Sequence, residues 1–194
     1  MTGNTLNMHY TIADPKTFGI SEYEPVLPIY HSDQPEDSKE HCSDLLHRLD
    51  RIDPDRLSPE NAYTYRLLHR SLENDLALAD FPYYNEPLSP SSGMQSQLPV
   101  LLAEYTFRTK RDVTDYLALL DQIDDYFSSL LLYEQEKAAA GFFMPACSSE
   151  KVRKQCDTIV TTEELAQGTH FLQTTFEYRL SELQKQGLFT PKET

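Results

Sequence analysis

The stretch from Thr109 to Gly141 constrains this chain more than any other. Val113, Tyr116, Leu117, Leu120, Ile123, Phe127, Leu130 and Leu131 recur there at three- and four-residue steps, with Lys110, Arg111, Asp115, Asp121, Asp125 and Glu134 mostly between them. That spacing lays the apolar side chains along one side of an α-helix. It predicts one helix of roughly thirty residues, about 45 Å long at 1.5 Å per residue. The helix should start at Thr109, where Asp112 three residues on makes a short relative of the capping box, and stop at Gly141. Nothing on it suggests chemistry. It reads as a spine around which shorter helices pack, with Leu120 as a core position and Asp121 on the wet side.

The segments on either side are also helical in pattern. Residues 1 to 33 hold Pro15, Pro25 and Pro28 and scattered aromatics (Tyr10, Phe18, Tyr23, Tyr30), which predicts an extended segment wrapping a helical body. Residues 34 to 190 form the expected helical domain. A first helix runs from Asp33 to Ile52, its Cys42, Leu45, Leu46, Leu49 and Ile52 within an arc of about 120°. After the turn around Pro54, the run Ser58-Pro59-Glu60 offers a cap, a first-turn proline and an acid at the positive end of the dipole, opening a helix to about Asp80. Together these two make a short-looped antiparallel hairpin. A third helix is expected from Gln97 to about Arg108, with Pro99 in its first turn. Past the spine, Phe142-Phe143-Met144-Pro145 is an apolar turn expected to tuck beneath its neighbours. Ser148 or Ser149 should cap the next helix, Thr161 with Glu164 the following start, and Leu172 to about Gln186 the last helix before Gly187. No segment alternates as a strand would. The fold class is therefore all-α, a multi-helix array of antiparallel hairpins around a long central helix with an extended N-terminal segment.

Charge and composition narrow the function. With 31 acidic against 17 basic residues, the formal net charge of -14 repels a nucleic-acid backbone, so no nucleic-acid partner is expected. No apolar run reaches the ~20 residues of a membrane span, and the first residues lack the pattern of a signal peptide. Cys42, Cys147 and Cys156 form no CxxC; Cys42 and Cys156 sit at apolar helical positions and read as small buried hydrophobes. His41, Asp44 and His47 invite a metal reading, but Asp44 and His47 point away from the core and from each other on the wheel, so no metal site is expected there.

The sequence has no HExxH, GxSxG, GxxxxGK[ST] or GxGxxG. One stretch gathers small, polar, backbone-permissive residues between two apolar elements: Ser89 to Gln97. Gly93 permits a positive φ, Ser91 and Ser92 offer caps, and Gln95 and Gln97 carry amides able to grip a peptide backbone. Ser92, Gly93, Gln95 and Gln97 are the candidate substrate-binding residues, and a plain helix-connecting turn is the alternative.

Here the sequence also resembles a known family. The run from Tyr84 to Tyr105, followed by Asp112-Val113-Thr114-Asp115-Tyr116-Leu117, Gln122-Ile123-Asp124-Asp125-Tyr126-Phe127 and Gly141-Phe142-Phe143-Met144-Pro145, resembles the N-terminal part of the bacterial DUF885 family; Asn4 to Thr11 and Leu57-Ser58-Pro59-Glu60-Asn61 are similar to it too. The likeness covers nearly the whole chain and weakens after about Thr158. It implies an all-helical, zinc-metallopeptidase-like protein, longer than this chain, whose C-terminal half carries an HExxH helix and a downstream glutamate ligand. There the two histidines hold zinc and the glutamate between them activates water. None of those ligands is in this sequence, so no catalytic or metal residue carries over and no cofactor is expected in this chain, although the likeness implies zinc for the full-length parent. The expectation is a non-catalytic N-terminal helical lobe forming one wall of a peptide groove. Its partners would be a peptide substrate or the missing C-terminal catalytic half. A free-standing binding module and a structural piece that joins a separate catalytic half are the alternatives. The chain itself reads as soluble; relatives in Gram-positive bacteria imply an exported or lipid-anchored parent.

Overall fold

The computed structural model describes residues 3–30 and 34–188. The expected first-helix start at Asp33 and the expected domain end at 190 lie outside the described residues. Every regular element among the described residues is helical: α1 (Thr5–Thr11), α2 (Gln34–Leu49), α3 (Pro59–Leu78), α4 (Met94–Glu104), α5 (Lys110–Asp121), α6 (Ile123–Ala139), α7 (Ala146–Ile159), α8 (Thr162–Gln167) and α9 (Phe171–Lys185), with 3₁₀ turns at Pro15–Phe18 and Pro54–Arg56. The all-α class holds. The chain divides into two compact units, one from the described parts of 1–29, 87–132 and 143–194, the other from those of 30–86 and 133–142.

In the first unit the N-terminal segment is not wholly extended. The Asn4 side chain accepts the Asn7 N–H and starts α1, which buries Leu6 and Met8. The prolines lie downstream of this helix and so do not prevent it. Thr5, fully buried, then holds the returning chain: its N–H donates to the Val26 carbonyl at 2.9 Å and its hydroxyl accepts the Val26 N–H at 2.8 Å.

The spine is two helices, not one. α5 opens with the capping box of Thr109 and Asp112, but the regular ladder is interrupted at Gln122, whose N–H bonds the Leu119 carbonyl instead of continuing the i→i−4 series. The Gln122 side chain takes over at the break. Its Nε2 donates to the Ala118 carbonyl at 2.9 Å and to the Pro25 carbonyl at 2.8 Å, and its Oε1 accepts the Leu27 N–H at 2.9 Å. One amide thus caps the α5 end and pins 25–27. We predict that Gln122→Ala destabilises the protein by about 1–3 kcal/mol, because it orphans part-buried backbone groups on both sides. Urea denaturation gives the loss, and hydrogen exchange at Leu27 N–H should accelerate with it; unchanged exchange there would refute the role.

The buried face is also rotated from the expected one. Val113, Tyr116, Leu119, Tyr126 and Leu130 are buried, whereas Leu117 and Leu131 are 46% and 60% exposed and Leu120 is only half-buried. Asp115, expected between apolar positions, is buried, with its Oδ2 accepting the Tyr23 hydroxyl at 2.9 Å.

Other starts differ as well. α4 begins at Met94, so Pro99 lies inside the helix, not in its first turn, and the Gln95 carbonyl lacks its i+4 N–H donor. α7 begins at Ala146 after Pro145 with no side-chain cap, so neither Ser148 nor Ser149 serves. α4 packs against α7 and α9 around Leu98, Leu102, Tyr105, Val152 and Leu183. α8 is capped by Thr161, whose hydroxyl accepts the Glu164 N–H. His170, 1% exposed, precedes α9: its Nδ1 accepts the Leu172 N–H at 3.3 Å, which leaves Nε2 to donate to the Ile159 carbonyl at 2.9 Å.

In the second unit, α2 and α3 pack on each other across the Pro54 turn, and the Ser58 hydroxyl caps α3 by accepting the Asn61 N–H. No described α3 side chain is fully buried; Tyr63, Leu67, Leu68 and Leu78 are about half exposed or more. His41, Asp44 and His47 are exposed, as the wheel indicates. Lys137, 3% exposed, bonds Glu86 Oε2 at 2.7 Å, and the Tyr133 hydroxyl donates to the Pro82 carbonyl at 3.0 Å. The apolar turn does not tuck under its neighbours: Phe142 is 55% exposed, and in the first unit Phe143 is 72% exposed. The cysteines depart from expectation too. Cys156 and Cys147 are exposed and Cys42 half-buried, because an apolar helical position is a core position only where a partner covers it.

Candidate functional site

The loop at 87–97 is built by backbone turns tightened onto one glycine. Ser89 supplies most of the bonds: its carbonyl accepts the Gly93 N–H at 3.1 Å and the Gln95 Nε2 at 2.7 Å, and its hydroxyl accepts the Ser92 N–H at 3.1 Å. The Met94 N–H reaches the Pro87 carbonyl at 2.9 Å. Gly93 does not supply the expected positive φ; its φ is −73°. Glycine is needed for room. A Cβ there would lie 2.3 Å from Ser89 N, 2.6 Å from Ser89 O and 2.0 Å from Gln95 Oε1.

The structure sorts the four candidate residues into two pairs. Gly93 and Gln95 are buried, and Gln95 is internal scaffolding. Its Nε2 also donates to Gln155 Oε1 at 2.9 Å, and Gln155 Nε2 donates in turn to the Pro90 carbonyl at 2.9 Å, so two amides stitch the loop to α7. Ser92 and Gln97 are exposed, Ser92 on the loop crest and Gln97 one turn into α4.

One face of α4 also lines a hollow that sequence reasoning missed. Met94, Leu98 and Leu101, on adjoining positions of the same α4 face, line a cavity of about 270 Å³ together with Tyr10, Leu27 and Tyr126. Asn4, which caps α1, and Asn7 within it bring amides to its wall. The Tyr10 hydroxyl donates to the Leu101 carbonyl, locking α1 to α4, and burial followed by the nearby Glu104 carboxylate pushes its pKa up to about 12. The phenol therefore stays neutral near pH 7 and keeps that bond. An apolar hollow edged by amides can take a hydrophobic side chain while the amides bond a main chain. The available signal is the 94, 98, 101 spacing, but α1, which closes the other side, is hidden in a segment whose prolines predict extended chain.

On α1 next to Tyr10, His9 is 8% exposed and lies flat on Tyr105, ring centroids 3.7 Å apart at 11°. Burial lowers its pKa below 6.5 and outweighs the Asp112 carboxylate, whose Oδ1 is 3.8 Å from Nδ1 and pulls the other way. A histidine with a depressed folded pKa leaves the unfolded chain binding more protons, so its contribution to stability is whole above about 6.5 and falls as pH drops below that value. Between pH 7 and 5, wild type should lose stability relative to His9→Gln, by at most about 1.4 kcal/mol per pH unit. Parallel urea curves at each pH test this; parallel losses in both proteins would exclude His9 as the titrating group.

Among the described residues no three His, Cys, Asp or Glu side chains gather into a set able to hold a metal ion. No described helix is long and apolar enough to cross a membrane. No curated protein and no solved structure shows a match to the chain. The model of one bacterial protein family of unknown function matches residues 16–188, which include the loop, α4, α7 and α9 but not α1. That match covers most of the chain, and the protein therefore belongs to the DUF885 family.

Proposed function

We propose that this chain is the N-terminal helical lobe of a DUF885 protein of the zinc-metallopeptidase kind and forms one wall of its peptide-binding groove. The observation that carries the reading is the amide-edged apolar cavity between α1 and α4, lined on the α4 side by Met94, Leu98 and Leu101, with Gln97 exposed on the same helix. The cavity takes a leucine- or phenylalanine-sized side chain, and Gln97 and Asn7 bond the peptide main chain. Gly93 and Gln95 act through the loop, holding the α4 N-terminus where Gln97 can reach. Hydrolysis belongs to the part of the parent that carries the metal motif, since this sequence has no HExxH. In the second unit the exposed Phe81, Tyr84 and Phe142 border an apolar cleft of about 410 Å³, which supports docking of that catalytic half.

The test is calorimetric titration of the purified chain with N-acetylated tripeptide amides bearing a central Leu, Phe or Asp. Leu and Phe peptides should bind and the Asp peptide should not. Gln97→Ala should weaken binding roughly two- to tenfold, the worth of one hydrogen bond. Met94→Trp, which fills the cavity, should abolish it. Absence of any peptide binding, or chelator-sensitive hydrolysis by this chain alone, would overturn the proposal.

A further inference from the structure

The first unit carries a second, larger cavity, about 540 Å³, whose wall is cationic in a strongly acidic protein. It lies where the chain leaving α1 passes the start of α5. Lys16, Arg108 and Arg111 line it, with Pro15, Ile20 and Tyr23 as apolar wall.

The acids that also line it are committed to the backbone. Asp14 caps the 3₁₀ turn by accepting the Lys16 N–H at 3.1 Å. Asp112 Oδ2 accepts the Arg108 N–H at 2.8 Å, the Thr109 N–H at 2.7 Å and the Thr109 hydroxyl at 3.0 Å. Behind the wall, Asp115 is taken up by Tyr23 and by Arg111 Nε at 3.3 Å.

Of the three cations, Arg108 and Lys16 are less committed. Arg111 is fixed in place, its Nη2 donating to the Tyr23 carbonyl at 2.6 Å and its guanidinium 4.0 Å from the Tyr23 ring centroid. Among the described residues the Arg108 guanidinium makes one long contact, Nη1 to His9 Nε2 at 3.5 Å. Lys16 has no ion-pair partner among the described residues. Arg111 spends its Nε and Nη2 on Asp115 and Tyr23 and so contributes a fixed positive charge, while the Arg108 fork beside Lys16 matches a planar carboxylate. The volume far exceeds that of a bare ion, and the apolar wall gives the residue bearing the charge a surface to lie on.

We propose that this cavity binds the C-terminal carboxylate of a peptide, with Arg108 and Lys16 contacting the carboxylate and Arg111 setting the field that orients it. The proposal rests on the reading of the lobe as a peptide-binding wall. α1 contributes Asn7 and Tyr10 to the smaller cavity, and the chain that leaves it, from Ala13 on, lines the larger.

The experiment compares N-acetyl-Ala-Leu-Ala as the free acid with the same peptide as its amide, by calorimetry on the whole chain, with inorganic phosphate as a third titrant. The acid should bind at least about tenfold tighter than the amide, as expected for charge-assisted bonds to a carboxylate. Arg108→Gln and Lys16→Gln, both at exposed positions, should each remove most of that difference, whereas Lys185→Gln, an exposed lysine on α9, should preserve it. Equal affinity for acid and amide would overturn the carboxylate site and leave the peptide-wall reading standing. Phosphate binding as tightly as the acid, and with the same Arg108 dependence, would replace it with a general oxyanion site. Binding of neither peptide would overturn both readings.

Discussion

Leu119→Ala should destabilise the protein by about 2–5 kcal/mol, the range for truncating a fully enclosed leucine whose surroundings cannot collapse into the gap. Leu119 is 0% exposed and lies one turn beyond Tyr116 on the face of α5 that also buries Val113. Its neighbours in sequence supply the controls. Leu120 is half-buried, so Leu120→Ala should cost clearly less, and Leu117, 46% exposed, should cost less again. Asp121, exposed, should change stability within about 0.5 kcal/mol. Urea midpoints with an unchanged m-value measure the series. A Leu119 variant no worse than the Leu117 one would show that the faces of α5 are assigned wrongly.

Gly93→Ala carries the second largest expected effect. Its φ of −73° suits any residue, so the penalty is entirely steric. The added Cβ would sit 2.3 Å and 2.6 Å from backbone atoms of Ser89, which can move only if the Gly93–Ser89 hydrogen bond and the turn around it open. Overpacking of this kind costs about 1–3 kcal/mol, more when backbone has to yield. The Gln95 amide loses its place as well, since its Oε1 would be 2.0 Å from the new atom. If the lobe binds peptide as proposed, the variant should lose affinity together with stability, because the α4 start that carries Gln97 shifts. Ser92→Ala, at an exposed position outside that crowding, should leave stability nearly unchanged. A Gly93→Ala protein as stable as wild type would mean the loop is not closed as described.

What was legible in the sequence was mostly local chemistry. Ser58-Pro59-Glu60 opened α3, Thr109 with Asp112 closed a capping box, and Thr161 capped α8, because each of these signals is satisfied by atoms within three or four residues. Misplaced starts had no such signal: α4 and α7 begin after Gly93 and Pro145 with no side-chain cap. The site was half legible. Its loop stood out by composition, but the cavity joins α4 to α1 and to Tyr126, and no spacing rule connects residues so far apart.

The rotation of the α5 face shows the same division within a single helix. Taking Val113 as the origin at 100° per residue, the hydrophobic stripe centres near Leu120, whereas the buried arc lies about 70° away and includes Leu119 and Asp115. Hydrophobicity alone could not find that arc, since Asp115 enters it only because Tyr23 and Arg111 meet its carboxylate. The break at Gln122 has the same origin, as its amide finds partners on Pro25 and Leu27, far earlier in the chain. By itself, then, the sequence determined that the chain is all helical, where several helices are capped, and that no HExxH is present, because periodicity, capping and motif are properties of neighbouring residues. Which face of each helix is buried, which of the loop's amides reach solvent and where the two cavities open were decided by the tertiary structure, because burial and hydrogen-bond partners are supplied by segments distant in the chain.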